Sequence, residues 1–133
     1  MRTKHSTGNE WENRYGYSRA VRSGDLVFLT GTISMNDDGT PHVPDDGYAQ
    51  ATRCFEIIER AVRALGGTRS DIVRSRVYVT DISRSDEFGR AHKDFFGEGG
   101  LDHRPCLTMV EVSGLIAPEF LVEIECDAVV GSA

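Results

Sequence analysis

A chain of 133 residues, 39% hydrophobic and 27% charged, is long enough to bury a core of its own without disulfides or metals. It holds no apolar run near the roughly 18 residues that cross a membrane. The formal net charge of −6 and the lack of any Lys/Arg block argue against nucleic acid as a partner, because phosphate affinity needs clustered cations. The start, Met1-Arg2-Thr3-Lys4-His5-Ser6-Thr7, has no apolar stretch behind it, which argues against a signal peptide and for the cytoplasm. Cys54, Cys106 and Cys126 are widely and irregularly spaced with no CxxC, so they read as small buried hydrophobes rather than a zinc ribbon or redox dithiol.

Residues 1–14 are polar apart from Met1 and Trp11 and read as an arm without regular structure. Trp11 would pack that arm onto its own domain or, as the sharper alternative, onto a neighbouring subunit. Two strand-like runs follow, 16–22 and 26–30, joined by Ser23-Gly24-Asp25, where Gly accepts a positive φ. The first carries Arg19 and Arg22 and suits a sheet edge. The second, Leu26-Val27-Phe28-Leu29, is apolar at every position and predicts cover on both faces. Residues 32–47 have loop composition, with a short strand near His42-Val43.

Ala51, Cys54, Phe55, Ile58, Ala61, Val62 and Leu65 keep the rhythm of an amphipathic helix, which Gly66-Gly67 stops. Its other face, with Arg53, Glu56, Glu59, Arg60 and Arg63, reads as solvated. Residues 72–80 alternate as a strand, placing Val73, Ser75, Val77 and Val79 against Arg74, Arg76, Tyr78 and Thr80. A second helix over 85–96 buries Phe88, Ala91 or His92, Phe95 and Phe96, and a Gly-rich loop runs over 97–105. Strands over 106–112 and 121–130 close the chain. The order is β-β-(β)-α-β-α-β-β in a single domain spanning 1–133: an α+β fold with two helices on one face of a mixed sheet.

No GxGxxG, Walker A loop, GxSxG or HExxH is present, and His5, His42, His92 and His103 lack ligand spacing, so neither a metal site nor a cofactor is expected. The sheet face away from the helices carries Arg74, Arg76, Tyr78, Glu123, Glu125 and Asp127. Leu107 and Met109 share a face with Glu111. A half-polar sheet face suits either water or the interior of a closed assembly.

Several segments together resemble the RidA (YjgF/YER057c/UK114) family. They are Gly24-Asp25-Leu26-Val27-Phe28-Leu29-Thr30-Gly31, the helix from near Gln50 to Gly66-Gly67, Val77-Tyr78-Val79-Thr80-Asp81, and Arg104-Pro105-Cys106-Leu107-Thr108-Met109-Val110-Glu111-Val112 with Val122-Glu123-Ile124-Glu125 behind it. The match runs in order over about residues 15–130. The resemblance implies a chorismate-mutase-like fold and a homotrimer whose sheets form a central barrel. It also implies clefts between subunits for small carboxylates, and hydrolysis of reactive imines or enamines to ketoacids and ammonia. Carried over by position, Tyr17 matches a cleft tyrosine, Thr30 the hydroxyl residue ahead of Gly31, and Glu123 a water-positioning glutamate.

The family's carboxylate-clamping arginine belongs two residues after Pro105, where Leu107 stands, and a frequent cysteine is replaced by Met109. Gly89 stands where the family's second helix has an asparagine. These departures resemble the family's arginine-lacking branches. Arg19, Arg22, Arg90 and Arg104 are candidates to supply the missing cation, Arg104 being close in sequence to the cleft strand. A buried fork onto a carboxylate is worth several kcal/mol, so Leu107 argues against the usual 2-aminoacrylate-type substrate. Three functions compete: hydrolysis of a different imine or enamine metabolite, non-catalytic small-molecule binding or sensing, and endoribonuclease action. The acidic charge and unpaired histidines weigh against the third.

Overall fold

Strands Arg2–His5 (β1), Ala20–Ser23 (β2), Leu26–Thr32 (β3), Ile72–Val79 (β4), Cys106–Glu111 (β5) and Val122–Val129 (β6) make one sheet in the order β1-β2-β3-β6-β4-β5. These come from a computed structural model that describes residues 1–97 and 103–133. Every pairing is antiparallel except β4 with β5, which are parallel and joined through the helix Ser85–Gly97 (α3). Glu10–Tyr15 (α1) precedes β2, and Gly47–Ala64 (α2) links β3 to β4. The Gly-rich loop expected over 97–105 falls largely outside the described residues.

One sheet face is covered by α2 and α3. Phe55, Ile58 and Val62 of α2 and Phe88 and Phe96 of α3 are buried with Val27, Leu29, Val77, Val79, Val122, Ile124 and Ala128 of the sheet. Each such large side chain contributes about 1.5–3 kcal/mol by leaving water. The start of α2 is set by Asp46, whose carboxylate accepts the Ala49 amide at 2.9 Å. Its end is set by Gly66, at φ +92.

Several expectations change. Residues 1–14 are not an irregular arm. β1 pairs with β2, and α1 forms because Asn9 caps the Glu12 amide and Gly16, at φ 73, closes the turn. The strand expected from residue 16 begins at Ala20, and the strand near His42-Val43 reduces to a single bridge between Met35 and Pro41. β3 is covered on one face only within the chain: Val27 and Leu29 are buried, whereas Leu26 and Phe28 are 48% and 47% exposed.

On β4, Val73 does not face the core. Ile72 pairs with Ala128 and Arg74 with Asp127, so β4 has an extra residue there and Val73 bulges to the surface. Arg53 is buried rather than solvated, because the segment after β3 lies over that side of α2 and accepts its hydrogen bonds at Met35 O (2.8 Å) and Asp37 (2.9 Å). Cys54 and Cys126 are buried as expected, but Cys106, at the start of the edge strand β5, is exposed. Among the described residues no helix is long and apolar enough to cross a membrane.

Candidate functional site

The site forms where β3 departs from regular pairing. Leu29 pairs with Cys126 and Thr32 with Ile124, so three steps on β3 match two on β6. Leu29 and Thr32 both point into the helix-covered core, and the extra residue pushes Thr30 and Gly31 toward the open face. Glu123 of β6 lies against this bulge. A Cβ built on Gly31 would stand 2.3 Å from Glu123 Oε2, so only glycine leaves room for that carboxylate.

Around them is a cavity of about 730 Å³. Tyr17, Thr30, Gly31 and Glu123 line one part, Trp11 and Tyr15 of α1 supply an aromatic wall, Met35 and Asp37 contribute from the segment over α2, and Arg53 from α2 itself. Trp11 stacks with Tyr15 at 5.9 Å and lies under the Arg14 guanidinium at 4.9 Å, so within the chain it faces the protein's own cavity.

Burial raises the Glu123 carboxyl above its usual range, and the Glu125 charge adds to this; the Arg19 cation partly opposes both. Glu123 has no hydrogen-bond partner among the described residues. Burial likewise raises the Tyr17 phenol, again against Arg19. Glu12 behaves in the opposite way. Burial alone would raise it, but hydrogen bonds from Thr7 and Ser6 and the charge of Arg19 hold it below the ordinary carboxylate range.

Of the residues expected from sequence, Tyr17, Thr30 and Glu123 come together in this cavity. Leu107, Met109 and Arg104 do not line it. Leu107 and Met109 are in register with Ser75 and Val77, which puts them on the helix side of β5 at the outer edge of the sheet, with β4 and β6 between them and β3. Leu107 is 43% exposed, Met109 leans on the core, and Arg104 is exposed.

Of the arginines named as substitutes, only Arg19 lines the cavity. Arg22 donates to Leu65 O at 2.7 Å, closing the end of α2, and Arg90 pairs with Asp86 on the surface of α3. Sequence reasoning missed the cavity roles of Trp11, Tyr15 and Arg53 and the burial of Glu12. A signal for α1 was present in Asn9 with Glu12 three residues on, the pattern of a capped helix start, and in Gly16 at its end. No group of three or more His, Cys, Asp or Glu gathers to hold a metal ion among the described residues.

Comparison with known proteins agrees with this architecture. A profile of the family described as Endoribonuclease L-PSP matches residues 7–130. The RutC family protein of Haemophilus influenzae is 34% identical over 113 residues, covering 85% of this chain and 85% of its own length. Among solved structures, Rv2704 of Mycobacterium tuberculosis, a member of the highly conserved YjgF/YER057c/UK114 family, aligns with a TM-score of 0.86 at 47% identity. That alignment covers 98% of this chain and 100% of Rv2704. The YjgF gene product of E. coli aligns with a TM-score of 0.76 at 31% identity, over 85% of this chain and 87% of its own. With the family profile spanning residues 7–130 and Rv2704 matching 98% of its length, the chain belongs to the Endoribonuclease L-PSP family, the YjgF/YER057c/UK114 or RidA proteins.

Proposed function

We propose that the chain works as a homotrimer whose cavity, completed by the β5 edge of a neighbouring copy, binds a small metabolite and hydrolyses a reactive imine or enamine other than the 2-aminoacrylate type. The observation that carries this reading is Glu123: a half-buried carboxylate without a hydrogen-bond partner among the described residues, beside Tyr17 and Thr30 in a cavity large enough for a metabolite. A carboxylate raised by burial is a stronger base toward water at neutral pH than an exposed one. Glu123 accepts a proton from a held water as its oxygen adds to the C=N carbon. Glu123 passes that proton to the nitrogen, then relays the carbinolamine hydroxyl proton to the amine as the C–N bond breaks, which leaves a carbonyl compound and ammonia. Tyr17 and Thr30 offer hydroxyls to steady the substrate.

The assembly is supported by the face that carries no helix. Leu26 and Phe28 of β3 and Val110 of β5 are exposed there beside the ion pairs of β4 and β6, a mixed face suited to meeting further copies. The free cysteines suit a reducing compartment, the cytoplasm.

A second reading, non-catalytic binding or sensing, is favoured by a specific observation. The arginines lining the cavity already have carboxylate partners: Arg19 with Glu12, Arg53 with Asp37 and Glu56, and Arg60 with Asp37. None is spare to clamp a substrate carboxylate.

Light scattering should give the mass of three chains. Ammonia release or semicarbazone trapping with enzymatically generated imines then separates the two functions. Turnover of apolar or cyclic imines, lost in Glu123→Ala, supports hydrolysis, whereas binding without turnover supports the sensor. Leu107→Arg is expected to add activity toward 2-aminoacrylate, since it restores a forked cation at the β5 edge.

A further inference from the structure

We propose that Arg19 is the positioning residue of this cavity, its guanidinium fixing Tyr17 and the Thr30-Gly31 bulge in the arrangement that Glu123 requires. The inference rests on the reading of Glu123 as the water-holding carboxylate. Arginine is rarely buried unless it is paired, and Arg19 is only 6% exposed. Each part of its guanidinium is engaged by a different piece of the site. Nη1 donates to Gly31 O at 3.3 Å and to Thr32 Oγ1 at 3.1 Å, gripping the two residues that end the bulge. Nη2 donates to Tyr17 Oη at a long 3.5 Å, and the guanidinium lies 5.7 Å from the centre of the Tyr17 ring. Nε has no hydrogen-bond partner, and it faces Glu12 Oε2 at 3.9 Å.

Glu12 is 2% exposed and is itself held by Ser6 Oγ at 2.8 Å and by the Thr7 hydroxyl. The pair therefore joins, through side chains, three pieces of chain that backbone hydrogen bonds also bring together: α1 with its Trp11 wall, the Tyr17 approach to β2, and the bulge of β3. With both Nη groups bonded to the protein and Nε turned to Glu12, Arg19 is not a spare clamp for a substrate carboxylate. Replacing a buried ion pair by neutral groups is often neutral for stability, so stability alone does not account for a charged pair at this position.

The charge of Arg19 also reaches Glu123. The other groups facing that carboxylate are Glu125 on its own strand, Tyr78 of β4 in register with it, Tyr17, and the buried thiol of Cys54 from α2. Arg76 of β4 is held by Glu125 and Asp127. Burial and Glu125 oppose ionisation of Glu123, and Arg19 is the cation that favours it.

The test compares Arg19→Gln, Glu12→Gln and the double variant by thermal melting, by titration of ¹³C-labelled Glu carboxyls, and by imine turnover. Arg19→Gln alone leaves Glu12 buried and unpaired, so it should melt well below the native protein, and the double variant should recover much of that loss. In the double variant the Glu123 midpoint should rise above native, and kcat should fall about 100-fold with KM little changed, as expected when reacting groups are misplaced. A double variant whose Glu123 titrates as in the native protein overturns the inference whatever its turnover. A native protein with no turnover on any imine overturns the functional reading instead, and leaves the titration as the test of Arg19.

If the double variant does not fold, Arg19→Lys takes its place. Lysine keeps the charge but cannot reach the bulge and Tyr17 together. The amide shifts of Gly31 and Thr32 should then move while the Glu123 midpoint stays near native; unchanged amide shifts overturn the proposal.

Discussion

The sheet face that carries α2 and α3 and the face that carries no helix are made of alternate residues on the same strands, yet different rules govern them. On β6, Val122, Ile124, Cys126 and Ala128 point to the helices and are 0–1% exposed, while Glu123, Glu125 and Asp127 point away and stay partly open. The covered face is closed by apolar fit. Polar groups within it pair with each other, as His92 Nε2 does with Ser75 Oγ at 3.2 Å and Ser75 Oγ with Cys126 Sγ at 3.6 Å. The open face is organised by charge. Arg74 lies across from Asp127 and Arg76 from Glu125, and Tyr78 donates to Glu125 at 2.7 Å. Glu123 stands at the end of that ladder without a hydrogen-bond partner among the described residues, and there the cavity begins. Packing thus specifies one face from within the chain, while the other leaves exposed the groups that the proposed ligand and neighbouring copy would use.

The covered face should break most severely. Phe55 is fully buried, stacks on Phe95 at 4.7 Å and meets the edge of Phe96 at 5.6 Å. Phe55→Ala should cost about 3–5 kcal/mol in chemical denaturation, and a loss under about 1 kcal/mol would mean that this aromatic cluster is not the centre of the core. His92, on the same face, gives a pH signature. Burial lowers it from 6.5 to about 4, so between these values the unfolded chain binds more protons than the folded one. Stability is therefore full above pH 6.5, falls as pH drops toward 4, and loses nothing further from this group below that. The swing is up to about 3 kcal/mol. His92→Gln should flatten that part of the stability–pH curve, and an unchanged slope would assign it to other groups.

The same contrast explains what the sequence makes legible. The α2 stripe from Ala51 to Val62 is readable because a helix with one buried face imposes its own period on the residues. Fully apolar Leu26-Val27-Phe28-Leu29 reads as buried on both sides, since nothing in one chain's composition distinguishes a face covered by its own helices from one left open. The two bulges are also silent. One extra residue at Val73 or at Thr30-Gly31 reverses which side chains face inward, and no residue preference announces it strongly. Tyr17, Thr30 and Glu123 were found through family resemblance, not through any motif whose spacing dictates chemistry. In the sequence Arg19 reads only as a spare cation, because its partner Glu12 lies in a segment that composition alone leaves shapeless.

The open face should respond in assembly rather than in folding. Phe28, 47% exposed, lies across from Asp127. Phe28→Glu adds a negative charge next to that carboxylate while removing no core contact. The chain should keep its helical circular dichroism and lose self-association, with light scattering falling from three chains toward one. If the variant still associates as the native protein does, the copies meet elsewhere.

The smallest expected change in stability falls at Gly31. A methyl group there would stand 2.3 Å from Glu123 Oε2 and 3.0 Å from Glu123 Cδ. The clash is with the tip of a flexible side chain rather than with backbone, so the carboxylate can swing aside and Gly31→Ala should shift stability by less than about 1 kcal/mol. The consequence for the site is larger than that figure suggests. A displaced Glu123 leaves its sheltered position for water, so the burial that raises its carboxyl weakens and its titration midpoint should move down toward the ordinary value. If Glu123 holds the attacking water as proposed, imine turnover should fall with it, by about tenfold or more, because that water moves away from the cavity. Carboxyl titration by NMR and melting temperature, measured on one sample, separate these effects. A Gly31→Ala protein with native stability, native turnover and an unmoved Glu123 midpoint would show that the carboxylate does not sit against the bulge.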